Sequence, residues 1–142
     1  VATGSLTPGN GWQEVRFNQP VKGRYFCLEA LNAQNGQDEA AIAEFYLLDE
    51  NGKPLPRQDW NIAYASSEST QYGNFTADKI YDLQESTYWK TRQGDKFPHQ
   101  FVIDLKEEQQ ISGFRYLPRA EEGFPGMIKD YKAYVKEKAF SY

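Results

Sequence analysis

Six or seven short runs that alternate apolar and polar residues, joined by polar loops, constrain this chain more than any other feature. Trp12 to Phe17 alternates, Gly23 to Leu31 does so more strongly, and Phe101 to Leu105, Ile111 to Leu117 and Tyr131 to Lys136 repeat the pattern. A period of two sends successive side chains to opposite faces, so each run predicts a strand with one buried face. Ile103, Leu105, Phe114, Tyr116, Tyr131, Ala133 and Val135 are the expected inward positions. Trp60 to Glu68 predicts a half-buried strand entering a polar loop (Ser69 to Thr76), and Thr76 to Tyr81 suits one helical turn. Ala41 to Leu48 reads two ways, its Ala-rich start as helix and Phe45-Tyr46-Leu47-Leu48 as strand. Asn32 to Asp38 and Asp49 to Pro54 carry turn chemistry. Residues 1 to 11 are a loop by composition, and Lys53 to Arg57 is the linker-like stretch. Short strands joined in this way indicate an all-β, antiparallel sandwich.

The 142 residues suffice for one domain with its own core and are too few for two full ones. Ten Tyr, nine Phe and three Trp carry much of the apolar content, as suits strands and binding surfaces. With 16 basic and 20 acidic residues and no Lys/Arg stripe, nucleic acid is not an expected partner. The longest apolar stretch, Ala40 to Leu48, is broken by Glu44 and too short to span a bilayer, so no membrane insertion is expected. Cys27 falls inside a strand pattern, where a thiol behaves as a small hydrophobe, and a single Cys forms no internal bridge. Val1-Ala-Thr-Gly-Ser reads as the start of a piece of a longer protein rather than as a signal peptide.

Catalytic chemistry finds little support. The lone His99 has no second His or Cys at ligand spacing and no nucleophile motif, so it is expected to cap a strand start by hydrogen bonding. Glu107-Glu108 and Glu121-Glu122 are adjacent pairs on turns and read as solvated charge rather than facing carboxylates. Sugar recognition fares better, because it needs flat rings for the apolar face of a pyranose and forked or amide donors for its hydroxyls. Tyr72 and Asn74 in the polar loop, Arg92 after Trp89, and Arg119 with Phe124 supply such groups; Trp89 itself reads as core.

Several runs resemble the coagulation factor V/VIII type C (discoidin) domain and its bacterial relatives, carbohydrate-binding module family 32. They are Ala65-Ser-Ser-Glu, Ala77-Asp-Lys-Ile-Tyr-Asp82, Ser86-Thr87-Tyr-Trp89, Pro98-His99-Gln-Phe-Val-Ile-Asp104-Leu105, Ile111 to Arg119 and Ile128 to Val135. Pro20 to Glu29 and Ala41-Ile-Ala-Glu44-Phe resemble the closing strands of the same family, although here they come first. The resemblance implies a jelly-roll, galactose-binding domain-like sandwich. Residues 1–142 then form one domain with circularly permuted strand order, with closing strands in 1–50 and opening strands in 60–142. The competing account is the tail of one copy fused to the head of the next.

The resemblance also implies a structural Ca²⁺ held by the Lys79 carbonyl, Asp82, Thr87 and Glu44, and glycan contacts from loops at one end. The alternative is that Asp82 and Thr87 only bond their own loop backbone. The implied function is a non-catalytic carbohydrate-binding module. Its parent would be an exported bacterial glycoside hydrolase of hexosaminidase or chitobiase type, periplasmic or extracellular, with the catalytic domain of the same polypeptide as a partner. A spacer packed on the catalytic domain without binding sugar, and a protein- or surface-adhesion module, are the alternatives.

Overall fold

The computed structural model describes residues 2–7, 11–34, 36–57, 60–70, 73–82, 84, 87–92, 94–119 and 127–138. Among the described residues eight strands follow in chain order: β1 (Ala2–Ser5), β2 (Gln13–Ala30), β3 (Ala41–Ile42), β4 (Glu44–Leu48), β5 (Asn61–Ala65), β6 (Trp89–Lys90), β7 (His99–Leu117) and β8 (Asp130–Lys136). A 3-10 helix, Ala77–Tyr81, precedes β6. The larger sheet runs β1-β8-β2-β7-β4, with β5 also on β7, and β3 pairs with β6 in a small second sheet. Every pairing is antiparallel, and the fold is the all-β sandwich expected from the alternating runs.

Strand β7 organises the larger sheet. Along one edge it pairs with β2; along the other its first half meets β5 (Ile62 opposite Ile103) and its second half meets β4 (Leu47 opposite Phe114). The inward positions read from the alternation are buried as expected, with Val135 packed against the core as a partly buried neighbour. Phe26 and Phe45 from the first part of the chain meet Phe101 and Phe114 from the second in one aromatic cluster. The Phe45 ring lies 5.6 Å from Phe26, 5.3 Å from Phe101 and 5.2 Å from Phe114.

Four sequence readings need correction. First, Trp12–Phe17 and Gly23–Leu31 belong to one long strand, as do Phe101–Leu105 and Ile111–Leu117. Their interruptions are register shifts, between Arg16 and Val21 where Pro20 lacks a donor, and opposite Gly23 and Tyr25. Lys106 turns this corner at φ 72°, its N–H donating to Asp104 Oδ1 at 2.8 Å. Second, Ala2–Ser5 is an edge strand on β8 rather than loop. Its composition hides this, and Gly4 is required because a Cβ there would lie 2.9 Å from Tyr131 Oη.

Third, Ala41–Leu48 contains no helix: the chain leaves the small sheet at Ile42 and enters the large one at Glu44, with Ala43 N–H donating to Leu117 O at 2.9 Å. Fourth, Lys53–Arg57 is not a linker. Pro54 bridges Leu48, Leu55 N–H donates to Leu47 O at 2.8 Å, and the Leu55 side chain is buried. The Asp49 turn forms as read, with Oδ1 accepting from Asn51 N at 2.8 Å and Lys53 N at 2.9 Å. His99 starts β7 through Nε2 donating to Asp38 O at 2.7 Å, and burial pushes the Cys27 thiol up to about 12.

At the β7 corner Arg24 grips Asp104 with both arms, Nε to Oδ1 at 2.8 Å and Nη2 to Oδ2 at 3.0 Å. That pairing holds the Asp104 carboxyl below its ordinary 3.8. A depressed folded-state value stabilises the fold at pH above 3.8, and the contribution fades as pH falls through the lowered value. Asp104→Asn should therefore lower the melting temperature at neutral pH and flatten its decline below pH 3.8. Parallel melting curves for variant and wild type across that acid range would contradict this role.

Candidate functional site

Loops that leave β5, the 3-10 helix, β6 and β7 converge on two adjoining constellations. The first is built on the helix. Its Ala77 and Ile80 are buried in the core, and Glu68 Oε2 accepts the Ala77 N–H at 2.6 Å, fixing the helix start against the preceding loop. The Lys79 N–H donates to Thr76 O at 3.1 Å. Beyond the helix end, Asp82 Oδ1 accepts from Gln84 N at 3.0 Å and Oδ2 accepts from the Thr87 hydroxyl, which also lies 3.0 Å from Gln84 O. The loop-closing bonds read as the bland role for Asp82 and Thr87 are therefore present.

Glu44 belongs to the same constellation, because the sheet switch at Ala43 turns its side chain into the interior. Its side chain is only 2% exposed; Arg57 Nη1 donates to Oε2 at 2.9 Å and also lies 3.3 Å from Phe45 O. Oε1 is buried with no donor, and Arg57 Nη2 is likewise buried without an acceptor. Burial pushes the Glu44 carboxyl above its ordinary range; Arg57 pulls it back, and the facing Asp82 carboxylate pushes it up again. A buried carboxylate with one oxygen lacking a donor, and raised by a second carboxylate, fits a hard cation. Glu44, Asp82 and Thr87 offer side-chain oxygens, and Lys79 a carbonyl. Among the described residues no group of three or more His, Cys, Asp or Glu side chains converges, so a cation here would rest on two carboxylates, a hydroxyl and a carbonyl.

The second constellation is aromatic. Lys90 N–H donates to Phe75 O at 3.1 Å, and Ser69 N–H to Lys90 O at 2.8 Å, which brings the polar loop alongside β6. The Phe75 ring stacks on Tyr88 at 4.9 Å and 12° between planes. Arg119 lies over Tyr88 at 4.9 Å, Lys90 lies over Phe75 at 5.4 Å, and Arg119 Nη1 donates to Glu39 Oε1 at 2.8 Å. A row of cation, two rings and cation results, with the acidic Glu39 on its flank and Asn74 exposed beside Phe75. The rings are half-buried, and Thr87 directly precedes Tyr88, so the carboxylate constellation and the ring stack share one loop.

Of the residues read from the sequence, Asn74 is exposed and directly precedes Phe75, and Arg119 is only 8% exposed, clamped by Glu39 and Tyr88 rather than free on a loop. The Arg92 side chain is 70% exposed and pairs with Asp95 at 3.5 Å, while its N–H donates to Ser67 Oγ at 2.7 Å. Tyr72 and Phe124 lie outside the described residues. Trp89 is core, its Nε1 donating to Ser67 O at 2.9 Å and its ring edge-on to Phe101 at 5.5 Å. Phe75, Tyr88 and Glu39 escaped notice; the signal was two aromatics on either side of the 3-10 helix and the loop after it, in polar segments that give a ring no core to enter.

Two curated relatives, both named galactose oxidase and both from Gibberella zeae, are each 31% identical over 88 residues. The matched stretch takes in 59% of this chain and 12% of theirs, so the chain corresponds to a small part of those proteins. The F5/8 type C domain profile matches residues 63–141, more than half of the chain. On that match, with the antiparallel sandwich beneath it, the chain belongs to the F5/8 type C (discoidin) domain family.

Proposed function

We propose that this domain is a non-catalytic carbohydrate-binding module that tethers an exported bacterial glycoside hydrolase to its glycan through the loop end carrying Phe75 and Tyr88. The observation that carries the reading is the half-buried ring pair held between Arg119 and Lys90. Rings offer an apolar surface to a pyranose face, while Glu39, Arg119 and the exposed Asn74 offer acceptors and donors for hydroxyls. F5/8 type C domains commonly bind carbohydrates. The name of the galactose oxidase relatives makes galactose the first probe. A single shallow site binds weakly, and its benefit is raised effective concentration of the catalytic domain of the same polypeptide near the substrate. A hexosaminidase- or chitobiase-type parent, working in the periplasm or outside the cell, completes the proposal.

The same loop is proposed to hold a structural Ca²⁺ through Glu44, Asp82, Thr87 and the Lys79 carbonyl. Bound there, the cation would neutralise the two facing carboxylates. Asp82 and Thr87 would then be fixed, and with Thr87 the start of Tyr88. We further propose that both parts of the chain form one permuted domain, supported by the five strand pairings that link them among the described residues, β1 with β8, β2 with β7 and β8, β3 with β6, and β4 with β7.

A glycan array with galactose-containing probes, read with calcium and with chelator, tests the function. Binding that weakens under chelation is the expected result; a clean array under both conditions would remove the sugar-binding reading. It would leave the spacer alternative, for which Trp12, 42% exposed and stacked on Tyr46 at 5.2 Å, is the supporting observation. Cleavage of a chromogenic glycoside by this chain alone would overturn the non-catalytic reading.

A further inference from the structure

Arg57 occupies an unusual position beside the cation ligands proposed above. Its side chain is 8% exposed, its guanidinium lies 4.1 Å from the Tyr46 ring centroid, and Nη1 donates to Glu44 Oε2. Arginine–carboxylate pairs are frequently bidentate, with two N–H donors on two oxygens, as Arg24 is with Asp104. Here Nη2 and Oε1 are both left over, each buried. Besides Arg57, the Asp82 carboxylate acts on Glu44, so two acids share this one buried guanidinium.

We infer that Arg57 is a built-in counter-ion that competes with the metal for Glu44, keeping the domain folded without calcium and weakening calcium binding in return. The inference rests on the proposed cation site and adds the element that sets its affinity. In the metal-free protein Arg57 supplies one of the positive charges that two carboxylates require, and Glu44 is not left as a bare buried anion. When a divalent cation enters on the Oε1 side, the guanidinium remains on Oε2 and repels it, or gives up Oε2 altogether. Either outcome reduces affinity, because oxygen sites are tuned by the net charge around the ion.

The experiment compares wild type with Arg57→Gln and Arg57→Lys by calorimetric titration with calcium chloride and by melting in calcium or chelator. Arg57→Gln should melt lower than wild type in chelator, bind calcium roughly tenfold more tightly and gain more from added calcium. Arg57→Lys, which keeps the charge, should bind close to the wild-type value. Calcium binding by wild type with no tightening in Arg57→Gln would overturn the counter-ion role and leave the cation site standing. Binding by neither protein would remove both, and binding by Arg57→Gln alone would support the role in its strongest form. Should Arg57→Gln fail to fold, the Arg57 Nε–H resonance of the wild-type protein serves instead. It should shift during the calcium titration; a fixed resonance in a calcium-bound protein would refute the competition.

Discussion

Phe45→Ala should remove about 3–5 kcal/mol of stability, the usual cost of deleting a fully buried ring, and should do so without splitting the unfolding curve. Phe45 is fully buried and touches rings from both parts of the chain, Phe26 on one side and Phe101 and Phe114 on the other. Small neighbours cannot refill the space, since the facing positions of β2 and β7 are fixed by their ladders. A domain of this size holds only about 5–15 kcal/mol in all, so the variant should sit near its unfolding threshold at moderate temperature. Phe101→Ala, from the other part, should lower the same transition by a similar amount. Chemical denaturation followed by circular dichroism and by Trp fluorescence checks both. Two transitions, only one of which responds to Phe45→Ala, would show separate units and contradict a single permuted domain.

The second large effect concerns recognition. Tyr88→Ala removes the ring that Phe75 stacks on and that Arg119 covers, so glycan affinity should fall at least roughly tenfold, about 1.4 kcal/mol. Arg119→Ala should act in the same direction, because it frees Glu39 and uncovers Tyr88 together. Arg92→Ala should cost less, since that side chain is spent on Asp95. Affinity electrophoresis or titration with the best ligand from the array measures all three. Thermal melting separates lost binding from lost folding. Undiminished binding by a folded Tyr88→Ala would move the site elsewhere.

The core was legible in the sequence because strand burial repeats with period two. Ile103, Leu105, Phe114, Tyr116, Tyr131 and Ala133 were fixed by that rule alone and are all buried. β1 was not legible: Ala-Thr-Gly-Ser has little strand preference, and only the neighbouring β8 and the Tyr131 ring over Gly4 make it a strand. The family resemblance assigns Glu44 and Asp82 to one ligand set from opposite parts of the chain, and Asp82 is among the groups that raise the Glu44 carboxyl. It said nothing of Arg57. That residue closes a Pro-containing stretch that reads as a linker, and its partner lies across a turn whose path no local pattern reveals. Tyr88 and Phe75 were obscured for a related reason. Their stacking depends on the hydrogen bonds that lay the polar loop along β6, a long-range pairing without periodicity.

The loop end carrying Phe75 and Tyr88 as the glycan-binding surface is the claim on which the functional account depends, and amide chemical-shift mapping with the array-selected glycan tests it most directly. Shifts should concentrate in residues 38–40, 73–76, 87–92 and around Arg119. Shifts confined to the outer sheet face around Trp12, Tyr46 and Tyr134, with the loop end unmoved, would contradict it.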